Sequence, residues 1–216
     1  MMTVKCFVFN TLQENTYVVS DETREAVVID CGSLFDEERA ALVSYINDNQ
    51  LTVVHLLSTH GHFDHNFGND TIWHEFGLKP EVAAEDEWLM DIRQQVRQML
   101  GIDYHHDFPP VGPPLSENDV IKFGTHELMV IATPGHTRGS VTFYSEAERT
   151  AFTGDTLFRM SIGRTDFESG SMPDMMKSLR KLATLPADTK VYAGHGEMTT
   201  IGDEILHNPY MTSTSL

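Results

Sequence analysis

Short apolar runs and longer helical stripes alternate along the chain. The short runs are rich in β-branched residues and are bounded by turn-forming residues, which is the pattern of strands. They occupy residues 4–9, 16–20, 26–30, 51–58, 81–84, 120–123, 127–132, 140–144, 150–153 and 190–193. Because the first three runs lie close together, we expect antiparallel strands with short connections at the start of the chain.

Other segments repeat their apolar residues with the period of a helix. These segments are residues 35–50, 64–76, 88–100 and 173–184. Ser33, three positions before Asp36, predicts a capping box for the first helix. Ser171 and Asp174 predict the start of the last one. Residues 103–115 contain four prolines and predict a long irregular loop.

This order of elements predicts an α/β (α+β) fold. Two groups of strands, each accompanied by helices, favour two β-sheets that pack face to face with helices on the outside. The composition is 40% hydrophobic, which is enough for a substantial core. No linker rich in glycine or serine interrupts the sequence, so residues 1–216 are predicted to form a single domain.

The charge balance restricts the partners that we expect. Lys and Arg number 15 against 32 Asp and Glu, and the net charge of −17 disfavours phosphate backbones and anionic membranes. The first residues lack the pattern of a signal peptide, and no apolar stretch approaches membrane-spanning length. The two cysteines are predicted to be free thiols in a reducing compartment. We therefore expect a soluble, cytoplasmic protein that binds neither nucleic acid nor membrane.

Residues 58–65, STHGHFDH, concentrate side chains that bind metal ions. These side chains are His60, His62, Asp64 and His65. A single helix would point His62 away from the others, whereas a strand end that runs into a helix start gathers all of them. Imidazole nitrogen and carboxylate oxygen are ligands for zinc, iron and manganese, so the cluster predicts a metal site. The alternative is a solvated loop with a chance run of histidines.

Four of the apolar runs are followed by a residue whose side chain can bind a metal ion. These residues are His60, His136, Asp155 and His195. Sheets of α/β proteins place their sites just beyond the carboxyl ends of strands, so we expect these residues to meet. The alternatives are a strand-end cap for His136 and a loop N-cap for Asp155. Asp30 is predicted to hold its loop or to orient a ligand rather than to bind metal. The histidines predicted to be non-ligands are His55, His74, His105, His106, His126 and His207, with a substrate contact as an alternative for His105 and His106.

Four separated motifs occur together in an order that resembles the metallo-β-lactamase superfamily. They are His-x-His-x-Asp-His at 60–65, Pro-Gly-His-Thr-x-Gly-Ser at 134–140, Thr-Gly-Asp-Thr-Leu-Phe at 153–158 and Gly-His-Gly at 194–196. The resemblance implies a four-layer αββα sandwich of two mixed β-sheets that holds two divalent metal ions. It assigns His60, His62 and His136 to one ion, Asp64, His65 and His195 to the other, and Asp155 to both. We expect zinc, with iron and manganese as alternatives that accept the same side chains.

The run Ser-Ile-Gly-Arg-Thr-Asp-Phe at 161–167 is similar to the glyoxalase II branch of that superfamily. The resemblance implies a metal-dependent hydrolase in which metal-bound hydroxide attacks a thioester or a related activated acyl substrate. A thiolate has a pKa of about 8.5 and leaves without protonation, which favours thioesters. Asp64 is the expected catalytic residue, because it can accept the remaining proton of the hydroxide. Arg164 is expected to contact the small-molecule substrate.

One departure and two alternatives remain open. Typical glyoxalase II enzymes carry basic residues for glutathione near their carboxyl end, but no Lys or Arg follows Gly196. The chain therefore looks more like the compact glyoxalase II-like hydrolases, whose substrate need not contain glutathione. The first alternative is a mononuclear iron persulfide dioxygenase of the same fold, against which His195 indicates a second metal. The last alternative, a non-enzymatic binding module, predicts missing ligands.

Overall fold

The computed structural model describes residues 1–101 and 103–212. The strands of this part of the chain are β1 (Thr3–Phe9), β2 (Glu14–Ser20), β3 (Glu25–Ile29), β4 (Thr52–Leu57), β5 (Pro80–Glu81), β6 (Val120–Phe123), β7 (His126–Ala132), β8 (Val141–Ser145), β9 (Thr150–Gly154), β10 (Leu157–Phe158), β11 (Ser161–Ile162), β12 (Lys190–Ala193) and β13 (Thr199–Thr200). The helices are α1 (Asp36–Asp48), α2 (Asn69–Phe76), α3 (Arg93–Leu100), α4 (Met172–Leu182) and α5 (Ile201–His207), and 3₁₀ segments occur at Phe63–His65 and Ala84–Leu89.

Within the described residues, eleven of the strands form two mixed sheets, and β10 and β11 pair with each other as a separate antiparallel ribbon. The first sheet has the order β1-β2-β3-β4-β5, with antiparallel pairing from β1 to β3 and parallel pairing from β3 to β5. The antiparallel start that the sequence predicts is therefore confirmed. The second sheet has the order β13-β12-β9-β8-β7-β6, in which β12 is parallel to β9 and the other neighbours are antiparallel.

Side chains alternate between the two faces of each strand and so build separate cores. Val27 of β3 packs between the sheets in one cluster with Phe143 of β8 in the second sheet. Val28 points the other way and packs with Leu42 of α1 and Ile72 of α2. These side chains are fully buried, and each contributes about 1.5–3 kcal/mol to stability through the apolar surface it removes from water.

Helices also cover the outer face of the second sheet. Met175 and Leu179 of α4 and Ile201 of α5 pack with Val191 of β12. The layers are therefore helix, sheet, sheet, helix, and the predicted αββα sandwich is confirmed. No helix within residues 1–101 and 103–212 has the length and apolar character that a membrane crossing requires.

The capping box predicted at Ser33 is wrong. Helix α1 begins at Asp36, and the Glu38 carboxylate accepts the backbone N–H groups of Leu34 at 2.8 Å and Phe35 at 3.1 Å. The Ser33 side chain is buried, with its hydroxyl 3.7 Å from Cys31 Sγ. The longer glutamate side chain reaches back from the first turn of the helix, so no serine cap is needed. At α4, by contrast, Ser171 accepts the N–H of Asp174 at 3.3 Å, as predicted.

Two predicted helices start later than the sequence indicates. The predicted segment 64–76 divides into the 3₁₀ turn Phe63–His65 and α2, and the predicted segment 88–100 divides into the 3₁₀ segment Ala84–Leu89 and α3. The strand predicted at 81–84 is shorter: it pairs with β4 at Pro80–Glu81, and beyond it Ala83 forms an isolated bridge with Leu115. These breaks lie where the chain passes the site described below, and the 3₁₀ turn lets the adjacent Asp64 and His65 both face it.

Candidate metal centre

The predicted ligands come from the same edge of the sandwich. The segment after β4 carries His60, the 3₁₀ turn carries His65, and the loop after β7 carries His136. Asp155 directly follows β9, and His195 lies two residues beyond β12. Because β4 is parallel to its neighbour β3 and β9 is parallel to β12, strand ends that are distant in sequence converge at this edge.

All of the predicted ligands meet at this edge, in three overlapping groups that could each hold a metal ion. The groups are His60, His62 and His136; Asp64, His65 and His195; and His60, His65 and Asp155, and the ligand atoms within each group lie within 4.8 Å of one another. In the first group His62 Nδ1 lies 2.8 Å from His136 Nε2. In the second, His195 Nε2 lies 3.4 Å from Asp64 Oδ2.

Asp155 lies between the first two groups. Its Oδ1 is 3.4 Å from His65 Nε2, and its Oδ2 is 3.5 Å from His136 Nε2 and 3.7 Å from His195 Nε2. One carboxylate therefore faces histidines of both groups. This position suits a carboxylate that is shared between two cations.

Several atoms at the centre are buried and have no hydrogen-bond partner among the residues that the structure describes. They are His60 Nε2, His65 Nε2 and Asp155 Oδ1. Buried polar atoms are almost always paired, because an unpaired one costs about 1–3 kcal/mol. Two imidazole nitrogens and a carboxylate oxygen that converge without partners are what a divalent cation with nitrogen and oxygen ligands requires. The residues present therefore fit a metal centre.

The outward nitrogens of the histidines are held by oxygen atoms. His65 Nδ1 lies 2.9 Å from Asp30 Oδ2, and His136 Nδ1 donates to the carbonyl oxygen of Arg164 at 2.7 Å. His60 and His195 have corresponding contacts to the Thr59 hydroxyl and the Leu12 carbonyl. Such contacts fix the ring orientation and direct Nε2 inward. Asp30 thus contacts the outward nitrogen of His65, the position from which it would orient that ring.

Burial and neighbouring charge set the protonation of the imidazoles. Burial, together with the neighbouring histidines, holds the pKa of His60 well below its usual value and lowers the pKa of His62 to about 3. Burial also disfavours the charged form of His65, but the carboxylates of Asp155, Asp30 and Asp64 outweigh it and raise the pKa of His65 well above normal. His60 and His62 are therefore neutral at pH 7, the form that binds metals.

Small residues are required beside the centre. A Cβ atom at Gly194 would overlap Asp155 Oδ1 and would lie 2.6 Å from His65 Cε1. A Cβ atom at Gly139 would lie 2.6 Å from the carboxyl carbon of Asp86. These glycines let the chain approach the centre closely, which is the physical basis of the Gly-His-Gly and His-Thr-x-Gly-Ser motifs.

Asp86 and Asn15 belong to the site although the sequence analysis does not single them out. The fully buried Asp86 carboxylate accepts hydrogen bonds from Gly61, Thr137 and Gly139. The Asn15 side chain donates to the carbonyl oxygens on both sides of the loop that carries His195. Each residue acts on ligand-bearing loops that are distant in sequence, so no local pattern indicates it.

The other histidines lie outside these groups. His55 is 2.6 Å from Glu81, His74 is 3.3 Å from Asp107, and His106 is 3.4 Å from Asp70. His126 contacts Asp21 and Glu148. With Asp21 and Glu22 it forms a separate cluster of side chains that could bind a metal ion. His105 and His106 do not line the cleft above the centre, so the cleft offers no support for a substrate contact by either.

A cleft of about 540 Å³ opens above the candidate centre. Its floor includes His62, Asp64, His136, Asp155 and His195. Its walls come from the segment 88–99 and from residues 163–169. Arg164, the residue expected to contact substrate, lines the cleft, but its guanidinium lies over the Phe167 ring and is bound to Asp166 at 2.7 and 2.8 Å. The volume is typical of a small-molecule site.

Comparison with known proteins indicates the same superfamily as the sequence motifs. Residues 10–195 match a family profile that is described as "Metallo-beta-lactamase superfamily". The chain is 32% identical to the hydroxyacylglutathione hydrolase GloC of Haemophilus influenzae, over 99% of this chain and 100% of that protein. Among solved structures it is similar to the BLEG-1 B3 metallo-beta-lactamase, with 33% identity, a TM-score of 0.89 and coverage of 98% of this chain and 100% of that one.

A second solved structure bears on the metal centre. The chain is 32% identical to TTHA1623 in a di-iron-bound form, with a TM-score of 0.84 and coverage of 96% of this chain and 100% of that one. These similarities extend over whole chains, and the profile spans the region that contains all of the His and Asp groups. The chain therefore belongs to the metallo-beta-lactamase superfamily, whose members are mostly metal-dependent hydrolases.

Proposed function

We propose that the protein is a dinuclear metal-dependent hydrolase of thioesters or related activated acyl compounds. The observation that carries this proposal is the position of Asp155, which joins two sets of ligand-type side chains at the floor of an open cleft. His60, His62 and His136 would hold one cation, and Asp64, His65 and His195 the other. We propose zinc as the natural ion, and iron or manganese suits the same nitrogen and oxygen donors.

A bound pair of divalent cations would supply Lewis acidity, which brings the pKa of water from 15.7 to about 7 and polarises an acyl carbonyl. The residues of the chain determine where this chemistry takes place. Asp64 reaches the cleft, and its carboxylate lies 3.4 Å from His195 Nε2. Burial alone would raise the pKa of Asp64, but His65 and His195 hold it below its usual value. We propose that Asp64 accepts a proton from the attacking water and releases it to solvent through the cleft.

The leaving group decides between substrate classes. A thiolate leaves without protonation, since its conjugate acid has a pKa of about 8.5, whereas an amide nitrogen must receive a proton. Asp155 faces both proposed cations, and the proton taken up by Asp64 is proposed to go to solvent, so neither carboxylate is assigned to protonate an amide nitrogen. Thioesters and activated esters or lactones therefore suit the site better than amides. The printed description of GloC as a hydroxyacylglutathione hydrolase supports the thioester class.

Elemental analysis and an activity panel test this proposal. We expect two divalent ions per chain and a rate with thioesters above that with lactones and β-lactams, abolished by chelation and restored by metal. His136→Ala should lose metal and activity together. His55→Ala, which removes a histidine bound to Glu81 instead, should keep both. One iron per chain with oxygen uptake on glutathione persulfide would contradict the hydrolase, and full activity of His136→Ala would contradict the metal assignment.

A further inference from the structure

Among the described residues, the outer walls of the cleft offer no free positive charge. Apart from the predicted metal ligands, the charged residues that line the cleft are Asp91, Arg164 and Glu168. The Arg164 guanidinium is bound through two nitrogens to Asp166, and Asp91 is bound in the same way to Arg93. Glu168 has no ion-pair partner among residues 1–101 and 103–212. An anionic ligand would therefore meet the unpaired carboxylate of Glu168 and two ion pairs that are already neutralised, Arg164 with Asp166 and Asp91 with Arg93.

Large apolar side chains are exposed in the same cleft. Leu12, Trp88 and Met99 are 43%, 58% and 55% exposed, and all of them line it. The indole N–H of Trp88 donates to the carbonyl oxygen of Glu85 at 3.0 Å, which fixes the ring in place. Exposed apolar surface gathered in a concave site marks a place where an apolar ligand group is bound.

The remaining polar lining is uncharged. Gln94 and Gln98 of α3 face the cleft, and neither side chain is hydrogen-bonded in the described part of the chain. Gln95 differs, because its amide donates to the carbonyl oxygens of Gly61 and Leu89. Free amides can pair with the amide or hydroxyl groups of an uncharged ligand. The cleft therefore combines an apolar wall with neutral hydrogen-bonding groups.

On the basis of the hydrolase function above, we propose that this cleft selects uncharged thioesters with an extended apolar acyl chain over thioesters of glutathione. Glutathione carries two carboxylates and one ammonium group, so its net charge is negative, and these charged groups lie away from the reacting carbonyl and so would reach the outer walls. One carboxylate would have to displace Asp166 from Arg164, and the other would face the unpaired Glu168. An apolar acyl chain meets neither penalty and gains contact with Trp88 and Met99.

Pairs of thioesters that share an acyl group and differ in the charge of the thiol part test whether the cleft prefers the uncharged one. Each acyl group is presented on N-acetylcysteamine, which is uncharged, and on glutathione, with chains from acetyl to octanoyl. We expect kcat/KM to rise about fourfold per added methylene until the apolar wall is covered, since each buried methylene contributes by about that factor. At equal chain length the uncharged thioester should be the better substrate by about tenfold or more, the factor for two unfavourable charge contacts. A preference for the glutathione series would overturn the proposal.

Binding of inert thioethers separates this proposal from the hydrolase function. Trp73→Phe leaves Trp88 as the only tryptophan, so its fluorescence reports N-acetyl-S-octylcysteamine and S-octylglutathione at the cleft. We expect the uncharged thioether to bind at least about tenfold more tightly. If it does while no thioester is hydrolysed, the selection stands and the hydrolase function fails. Equal or tighter binding of S-octylglutathione overturns the selection, whether or not turnover occurs.

Variants that change one charge in the cleft show which residues cause the difference in affinity between the two thioethers. Glu168→Gln and Gln98→Arg should each improve the affinity for S-octylglutathione about fivefold and leave the affinity for the uncharged thioether unchanged. The matched control Glu37→Gln makes the same charge change at an exposed position of α1 and should alter neither affinity. If Glu168→Gln and Glu37→Gln behave alike, the outer walls do not discriminate by charge and the proposal is wrong.

Discussion

Asp86 holds together two loops that carry histidines of the candidate centre. Its Oδ2 accepts the Gly61 N–H at 3.0 Å and the Thr137 hydroxyl at 2.6 Å, and its Oδ1 accepts the Gly139 N–H at 2.8 Å. Gly61 lies between His60 and His62, and Thr137 follows His136. One carboxylate thus sets the separation of the three histidines that are proposed to hold one cation.

Asp86→Asn should weaken metal binding and stability together. An amide offers one acceptor oxygen, so its NH₂ group would face at least one donor that is now satisfied. We expect the free energy of unfolding to fall by about 1–3 kcal/mol and the metal affinity to fall about 10- to 100-fold. Urea unfolding and competition with a chromophoric chelator measure the two effects. Asp188→Asn, at an exposed ion pair with Arg149, is the matched control, and an unchanged metal affinity in Asp86→Asn would contradict this role.

Single residues differ in how well the sequence indicates their roles. The ligand-type residues stand at the ends of apolar runs, so a local pattern predicts both their presence and the edge where they meet. Asp86 acts on partners 25, 51 and 53 positions away. Nothing within its own segment distinguishes it from a solvated acidic residue. A role that consists only of distant contacts becomes visible once the loops are folded.

Strand β2 connects the two sheets at the candidate centre. The Asn15 backbone N–H donates to the Gly194 carbonyl at 2.7 Å, and its side chain donates to Ala193 at 3.0 Å and Gly196 at 2.9 Å. The Tyr17 hydroxyl donates to the same Ala193 carbonyl at 2.6 Å. A strand of the first sheet thereby fixes the loop of the second sheet that presents His195.

Asn15→Ala should loosen that loop and reduce the affinity of the second cation. Two side-chain hydrogen bonds are lost and the Gly196 carbonyl loses its partner, so we expect destabilisation of about 1–3 kcal/mol. Stepwise chelation should release one ion from the variant at a lower chelator concentration than from the wild type. Tyr17→Phe removes one hydrogen bond at the same carbonyl and keeps the ring packing, so its effect should be smaller. Simultaneous release of both ions at the wild-type concentration would contradict this arrangement.

The sequence predicts helices and strands with a clear hydrophobic period well. It predicts very short strands and 3₁₀ turns poorly. Strands β6, β12 and the helix capped by Ser171 occur as the pattern indicates. The two-residue strands β10, β11 and β13 are too short to have a period, and the seven-residue α5 was missed as well. The sequence distinguishes a 3₁₀ turn from an α-helix poorly, because both repeat their apolar residues at similar spacing. The tertiary requirement to point Asp64 and His65 inward decides the local geometry there.

A cluster of charged side chains links the two sheets at the end of the sandwich opposite to the candidate centre. Strand β2 has Asn15 beside the centre and ends at Ser20, and the next residue, Asp21, lies at the far end, where the first sheet meets the second. There His126 Nδ1 lies 3.1 Å from Asp21 and its Nε2 lies 2.9 Å from Glu148. Asp21 follows β2, His126 begins β7 and Glu148 lies in the turn between β8 and β9, so one imidazole links three segments of both sheets.

This cluster makes the stability of the whole molecule depend on pH. Burial disfavours the charged imidazole, but hydrogen bonds to Asp21 and Glu148 outweigh it and raise the pKa of His126. Burial would likewise raise the pKa of Asp21, but hydrogen bonds from Thr125, Thr23 and His126 hold it well below normal. The hydrogen bond to His126 also lowers the pKa of Glu148.

The signs of these shifts define the pH range in which the cluster stabilises the fold. The contribution of His126 is complete below the unfolded histidine pKa of about 6.5 and is lost as the pH rises through the higher folded value. The contributions of the carboxylates are complete above their unfolded pKa values of about 4 and are lost as the pH falls through the lower folded values. Stabilisation is therefore greatest between about pH 4.5 and pH 6.5.

His126→Gln should remove this dependence, because glutamine keeps a hydrogen-bonding group but carries no charge. We expect the wild type to exceed the variant in free energy of unfolding most strongly at about pH 5.5, with the difference shrinking towards about pH 9 as His126 of the wild type loses its proton. Urea unfolding across this range, at fixed metal content, measures the difference. His74→Gln removes a histidine from an exposed pair with Asp107 and should give a small difference at every pH. An equal difference between wild type and His126→Gln at both ends of the range would mean that the far end of the sandwich is held by packing alone, with no contribution from the charged imidazole.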